Sequence, residues 1–166
     1  GCKKILLGIG GSATIDGGAG VLAALGTTFY DANQNSFIPT GKNLNRVKAI
    51  DTGTLDQRLT NTPISMACDV NSPLTGKEGA AFVFGPQKGA VEHQWKELDH
   101  NLTAYADLIH QTTGKSYHTV PGSGAAGGLA VSLLAFTHAS LEPGFELIAR
   151  EINLENEISN ADLVIT

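Results

Sequence analysis

Residues 5–20 read Ile-Leu-Leu-Gly-Ile-Gly-Gly-Ser-Ala-Thr-Ile-Asp-Gly-Gly-Ala-Gly, and this stretch decides the fold class. Its apolar start at residues 5–9 predicts a short buried strand that runs into a glycine loop. Asp16 is a suitable N-cap for a helix that reaches Leu25 and stops at Gly26. A buried strand followed by a tight loop and a helix is typical of α/β proteins.

The rest of the chain continues this alternation. A helix is predicted after Lys88, because an apolar stripe recurs there at spacings of four and three: Val91, Trp95, Leu98, Leu102, Tyr105 and Ile109. The stripe assigns Trp95 to core packing and not to base stacking. Further strands are predicted at 27–30, 47–50, 64–68 and 161–166, a loop at 32–45, and helices near 54–59, 123–138 and 144–151. The pattern predicts a single α/β domain over residues 1–166, with a mixed or largely parallel sheet flanked by helices.

Composition excludes several kinds of partner. The net charge is −5, and no basic run exceeds Lys3-Lys4, so a nucleic-acid partner is not expected. No apolar stretch is long enough to cross a membrane. The two cysteines lack a C-x-x-C spacing, which favours a reducing, cytoplasmic setting. A homo-oligomer is left open.

Glycine is the unusual component, with 20 of 166 residues against roughly 7% in average proteins. The glycines cluster in two loops, 8–20 and 121–128, each predicted to precede a helix. Such loops expose backbone N–H groups that can bind a phosphate or a carboxylate. The alternative is that the glycines only permit close packing of helix and sheet. The candidate binding residues are Gly10, Gly11, Ser12 and Thr14 in the first loop, and Gly122, Ser123, Gly124, Gly127 and Gly128 in the second.

A dinucleotide-binding domain is the rival interpretation of the same loops. Neither loop is a Walker A sequence, but both fit G-x-G-x-x-G/A. Asp31 also lies where such a domain places the acid that binds ribose. Against this interpretation, Gly17 and Gly18 would fall inside the crossover helix, at a cost of roughly 2 kcal/mol relative to alanine. The motif alone does not decide between another kind of anion-binding loop and a dinucleotide-binding domain.

Three charged residues are candidates for catalysis. Asp69 follows a predicted strand, where α/β proteins usually carry catalytic acids, although it could instead start a turn before Pro73. Asp16 is either a metal or substrate ligand or only a helix cap. Lys88 lies in the sequence Phe-Gly-Pro-Gln-Lys-Gly and could neutralise a phosphate, although most lysines are simply solvated.

Five segments together resemble the type I glycerate kinase family. They are the first glycine loop (residues 8–20), Ala-Cys-Asp-Val-Asn at 67–71, Phe-Gly-Pro-Gln-Lys-Gly-Ala at 84–90, the second glycine loop (121–128) and Ala-Asp-Leu-Val-Ile-Thr at 161–166. Their order and spacing match the family over essentially all 166 residues. This agreement favours the family resemblance over the interpretation as a dinucleotide-binding domain. Ile15 departs from the family, which usually has Asn there. Ser72 and Ser123 are milder departures.

The resemblance implies an ATP- and Mg²⁺-dependent kinase that phosphorylates a hydroxyl of D-glycerate. It also implies a two-domain enzyme, with this chain being mainly the inserted, restriction-enzyme-like domain, and we expect the chain to be a fragment of that longer protein. Asp69, Lys88 and Asp16 are then the expected catalytic residues, with Asp69 or Asp16 as the Mg²⁺ ligand. Asn71 joins the two glycine loops as an expected binding residue.

Overall fold

The computed structural model describes residues 1–165 and contains two small sheets surrounded by helices. In chain order the elements are β1 (Ile5–Gly8), α1 (Ala19–Ala24), β2 (Thr28–Tyr30), β3 (Ser36–Phe37), β4 (Ala49–Asp51), β5 (Ile64–Ala67), α2 (Ala80–Phe84), α3 (Glu92–Thr113), α4 (Ala125–Phe136), β6 (Ala139–Glu142), α5 (Gly144–Glu151) and α6 (Leu154–Ser159). Short 3₁₀ turns cover Leu44–Arg46, Gln57–Thr60 and Pro86–Lys88. The predicted α/β class is confirmed.

The first sheet is parallel and positions the functional site. Its order is β1-β5-β6, with Ile5 opposite Ile64 and Ile64 opposite Ala139. The central strand β5 is apolar and buried, and Met66 is fully inaccessible, as expected for a strand that helices cover. Because all three strands run the same way, their carboxyl ends meet at one edge.

The second sheet is antiparallel and has the order β3-β2-β4. Strand β2 therefore does not pair with β1, although it is the next strand along the chain. Asp31 lies in the turn after β2, where its carboxylate accepts hydrogen bonds from the N–H groups of Asn33 and Asn35. In a dinucleotide-binding domain these two strands would be neighbours in one parallel sheet. The arrangement removes the geometric basis of the oxidoreductase interpretation.

The helical core lies between α1, α3 and α4. Leu102, Tyr105 and Ile109 of the predicted α3 stripe are buried in it, against Leu22 and Val131. Helix α3 ends at Gly114, whose φ of 74° is the left-handed conformation that terminates helices. The stripe therefore predicted the helix and the buried face of its second half, whereas Val91 precedes the helix and is exposed.

Several sequence predictions about structure were wrong. Residues 161–165 form no strand and are exposed, and Thr166 lies outside the described residues. The predicted loop at 32–45 contains β3 and a 3₁₀ turn. The short elements α2, β6 and α6 were not predicted, because runs of four to six residues carry too little periodicity.

A buried hydrogen-bond chain joins α3 and α4 to the first glycine loop. The Tyr105 hydroxyl lies 2.8 Å from Ser132 Oγ, and Ser132 Oγ donates to the Gly17 carbonyl at 2.6 Å. Since the serine proton is used on Gly17, the tyrosine donates to the serine. Burial raises the pKa of Tyr105 above its ordinary value.

We expect Tyr105→Phe to lower the free energy of unfolding by about 1–2 kcal/mol, because Ser132 Oγ loses its buried donor. Chemical denaturation measures this change. Tyr30→Phe is the control, because the Tyr30 hydroxyl makes no hydrogen bond within residues 1–165. If the two variants lost equal free energies of unfolding, the hydrogen bonds of Tyr105 and Ser132 would make no specific contribution to stability.

Candidate functional site

A cavity of about 490 Å³ opens where β1 and β5 end. The carboxyl edge of a parallel sheet is the usual ligand site of α/β proteins. The first glycine loop, the residues after β5, the turn that carries Lys88 and the start of α4 form its wall. Its lining includes Gly10, Gly11, Ser12, Cys68, Asp69, Val70, Lys88, Ala125 and Ala126. Five predicted site residues, which are Gly10, Gly11, Ser12, Asp69 and Lys88, are thus brought together.

The first glycine loop is open to the cavity. Gly10 and Gly11 are exposed, and a Cβ built on either would meet no atom within 4 Å. Their lack of side chains is therefore not required by packing inside the protein. Gly11 has a φ of +70°, a conformation that glycine adopts without strain. The open backbone is suited to a ligand oxyanion that approaches closely.

Lys88 is the cation of the site. Its Nζ donates to Ser12 Oγ and to the Thr14 carbonyl, both at 2.7 Å. An ammonium group has three donors, so one remains for a ligand oxygen. Partial burial lowers the pKa of Lys88, and the negative charge of Asp16 opposes that shift. The two hydrogen bonds hold the charge at the rim of the first glycine loop.

Asp69 is the anion of the site. It follows β5, is exposed, and accepts a hydrogen bond through Oδ1 from the N–H of Gly144 at 2.7 Å. Gly144 begins α5, so the carboxylate lies at a helix N-terminus. A Cβ on Gly144 would lie 2.5 Å from Asp69 Oδ2, so only glycine permits this approach. The side chain is fixed while it still faces the cavity.

Asp16 is placed differently from its predicted catalytic role. Its side chain is buried, and its two oxygens accept the N–H groups of Gly18 at 3.0 Å and Gly20 at 3.2 Å. It lies at the start of α1 and does not line the cavity. The geometry favours the helix-cap interpretation, with the helix beginning at Ala19 instead of at Asp16.

The second glycine loop is packed into the fold and not open. Gly122, Ser123, Gly124, Gly127 and Gly128 are all buried, and none of them lines the cavity. A Cβ on Gly124 would lie 2.1 Å from the Pro73 carbonyl, and one on Gly127 would lie 1.9 Å from the Thr14 carbonyl. Here close packing accounts for the glycines, and a direct anion-binding role for this loop stays a prediction. The segment reaches the cavity only through Ala125 and Ala126.

Two other predicted binding residues lie beside the cavity and not in its wall. Asn71 is exposed, just past Val70. Thr14 is exposed, and its carbonyl holds Lys88 in place. Both residues are therefore near the site, and direct binding by either stays a prediction.

A metal cluster and a membrane-spanning helix are both absent from the residues that the structure describes. Within residues 1–165 no three His, Cys, Asp or Glu side chains come together as a metal cluster. None of the helices in this range has the length and apolar character needed to cross a membrane.

The sequence as a whole matches a known family. A model described as "Glycerate kinase family" matches residues 1–166. The chain belongs to the glycerate kinase family. The resemblance inferred from five short segments is thereby confirmed.

Individual members of the glycerate kinase family agree closely with the chain. It is 48% identical over all 166 residues to "Glycerate 2-kinase" of Escherichia coli (strain K12), and 43% identical to "Glycerate kinase" of Bacillus subtilis (strain 168). A crystal structure of a protein provisionally described as glycerate kinase 2 from Salmonella typhimurium LT2 superposes with a TM-score of 0.93 at 47% identity, covering 99% of this chain. The chain spans 44% of the length of each of these three proteins.

Some cavity residues of this glycerate kinase family chain escaped the sequence reasoning. Phe84, Gln87 and Cys68 line the cavity, and all three lie inside segments that were recognised for neighbouring residues. Proximity to Lys88 and Asp69 was the available signal. Ala125 and Ala126 carry no chemical signal in their side chains, so only the structure could find them.

Proposed function

We propose that this chain carries a central part of the active site of an ATP-dependent kinase that phosphorylates a hydroxyl of D-glycerate to give phosphoglycerate. The supporting observation is a cavity lined by the open glycines Gly10 and Gly11, a lysine held by two hydrogen bonds and an aspartate held by one. Phosphoryl transfer needs positioning and charge neutralisation more than covalent chemistry. Family membership supports the same reaction, and no observation favours the oxidoreductase alternative.

The atoms and electrons of the proposed reaction balance with only the two substrates and the residues in the cavity. The glycerate hydroxyl oxygen forms a bond to the γ-phosphorus of ATP, and the bond from that phosphorus to the bridging oxygen breaks. ADP leaves with the electron pair, and the hydroxyl proton passes to the Asp69 carboxylate. Lys88 and the amides of Gly10 and Gly11 offset the negative charge on the transferred group and the glycerate carboxylate.

Mg²⁺ fits this site through Asp69. Mg²⁺ in kinases is commonly held by one or two carboxylates together with substrate phosphates, so a cluster of three protein ligands is not needed. Asp69 lines the cavity, and its Oδ2 has no hydrogen bond within the described residues, whereas both Asp16 oxygens bind backbone amides. When bound, the ion would neutralise phosphate charge. Asp69 is therefore the carboxylate open to Mg²⁺ and Asp16 is not; when Asp69 accepts the proton, the ATP phosphates and water would hold the ion.

Asp69→Asn tests the role of the carboxylate. Asparagine keeps the size and can still accept from Gly144, but it cannot take a proton. In the complete protein we expect turnover to fall by about 10²- to 10⁴-fold, the usual contribution of acid–base catalysis. A coupled assay for ADP release gives the rate. Asp107→Asn on α3 is the matched control, and near-normal turnover of Asp69→Asn would remove this residue from the mechanism.

The wider setting of the chain is part of the proposal. We propose that residues 1–166 form one α/β domain of a longer, two-domain cytoplasmic enzyme, consistent with the 44% of the relatives' length that they span. A homo-oligomer is compatible with this arrangement. The chain alone is then expected to be weak or inactive, because part of its cleft is missing. Full activity from these residues alone would contradict that expectation.

A further inference from the structure

A second cavity lies on the other side of Lys88. Its volume is about 330 Å³, at the lower end of the range typical of small-molecule sites, roughly 300–1,000 Å³. Ala13 and Ile15, which continue the first glycine loop, form one wall, and Gln94, Glu97 and Leu98 of α3 form another. Lys88 lines both cavities. The two cavities thus meet at the Lys88 ammonium group, whose positive charge the proposed reaction uses.

The two cavities differ in the chemistry of their walls. The second has an apolar surface from Ile15 and Leu98, and polar groups from Lys42, Gln94 and Glu97. Gln94 Oε1 already accepts the N–H of Val91 at 2.9 Å, which leaves the amide nitrogen as a donor. Glu97 is an exposed acceptor. An apolar wall beside an acceptor and a donor suits a heterocycle and ribose hydroxyls.

Glu97 gives the second cavity a hydrogen-bond acceptor, although Lys42 and Lys88 line it too. A carboxylate accepts hydrogen bonds from hydroxyl and amino groups, and the apolar wall suits an uncharged heterocycle. The first cavity has open glycine amides beside Lys88, and these donors suit an anion. Anionic groups are therefore assigned to the first cavity and a neutral polar group to the second.

We propose that the second cavity binds the nucleoside half of the phosphoryl donor, while its phosphates pass Lys88 into the first cavity, where the hydroxy acid binds. This inference rests on the proposed kinase function and adds a location for each substrate. The remaining N–H of Lys88 then lies at the boundary, next to the group that is transferred. Glu97 contacts the nucleoside directly and takes no part in the chemical step.

Amide chemical shifts of the ¹⁵N-labelled chain test the assignment, in separate titrations with adenosine, inorganic tripolyphosphate and D-glycerate. We expect adenosine to shift the amides of Ala13, Lys42 and Glu97, and tripolyphosphate to shift those of Gly10 and Gly11. Glu97→Lys should weaken adenosine binding at least about 10-fold, since a hydrogen bond to a charged group is lost, and leave tripolyphosphate binding no weaker. Glu78→Lys, an exposed residue that lines neither cavity, is the control.

Ala13→Trp is a second variant, because it fills the cavity from an exposed position and does not depend on the charge of Glu97. It should also weaken adenosine binding. Adenosine shifts confined to Gly10, Cys68 and Asp69, or glycerate shifts in the second cavity, would overturn the assignment and leave the kinase proposal intact. No shift in either cavity with ADP would remove both.

Discussion

Gly127→Ala is expected to lower the free energy of unfolding by about 3 kcal/mol or more. The new methyl group would lie 1.9 Å from the Thr14 carbonyl and 2.9 Å from Ile15 Cα, so the backbone must move. The φ of +71° also adds strain for any residue with a side chain. Losses of this size come only from such specific mechanisms. Urea denaturation, monitored by the fluorescence of Trp95, measures the change.

Gly10→Ala is the matched control for this prediction. Gly10 belongs to the other glycine loop, where a Cβ would meet no atom and φ is not positive. Its free energy of unfolding should stay within about 0.5 kcal/mol of the original, whereas its affinity for tripolyphosphate should fall. If both variants were equally stable, the second loop would not be the packed structure described above.

Lys88→Met is expected to have the largest effect on activity. In the complete protein, turnover should fall by about 10²- to 10³-fold, the usual effect of removing one group that stabilises transition-state charge. The free energy of unfolding should change by no more than about 1 kcal/mol, because Lys88 is only half-buried and water can replace its hydrogen bonds. Steady-state kinetics should show kcat falling more than KM changes.

Lys96→Met controls for the loss of a positive charge. Lys96 is an exposed lysine on α3 and lines neither cavity. Its turnover should be unchanged. A similar fall in both variants would mean that net charge, and not the position of Lys88, governs activity. Lys88→Arg should recover only part of the rate, because the guanidinium cannot occupy the compact site between Ser12 and Thr14.

The fold was predictable where the sequence repeats a pattern. The α3 stripe repeats one helical spacing over six apolar residues, β1 and β5 are continuous apolar runs, and Gly26 and Gly114 mark helix ends through positive φ. The strand predicted at 161–166 does not form over residues 161–165, because an apolar run predicts burial only if other parts of the protein cover it. Leu163 is 77% exposed in the described residues.

The cavity lining was predictable for Asp69 and Lys88, but not for Asp16 or the glycines of the second loop, which do not line it. Asp69 was predicted because it follows a strand. Lys88 was predicted because it lies in a conformationally restricted loop just before a helix. The loops 8–20 and 121–128 are both rich in glycine, yet Gly10 and Gly11 of the first loop are open. Gly17 and Gly18 of that loop are closely packed, as are the glycines of the second loop against Thr14 and Pro73. Sequence alone cannot separate these two uses of glycine, because the difference lies in which distant atoms approach the missing Cβ.

The most direct test of the account is phosphorus NMR of the complete protein mixed with ATP, Mg²⁺ and D-glycerate. The account predicts that the γ-phosphate signal of ATP is replaced by one phosphomonoester signal, together with ADP, at a rate that Lys88→Met and Asp69→Asn both suppress. Splitting of the new signal by adjacent carbon-bound protons then identifies which hydroxyl was phosphorylated. Release of inorganic phosphate alone, or a rate that neither substitution alters, would contradict the account.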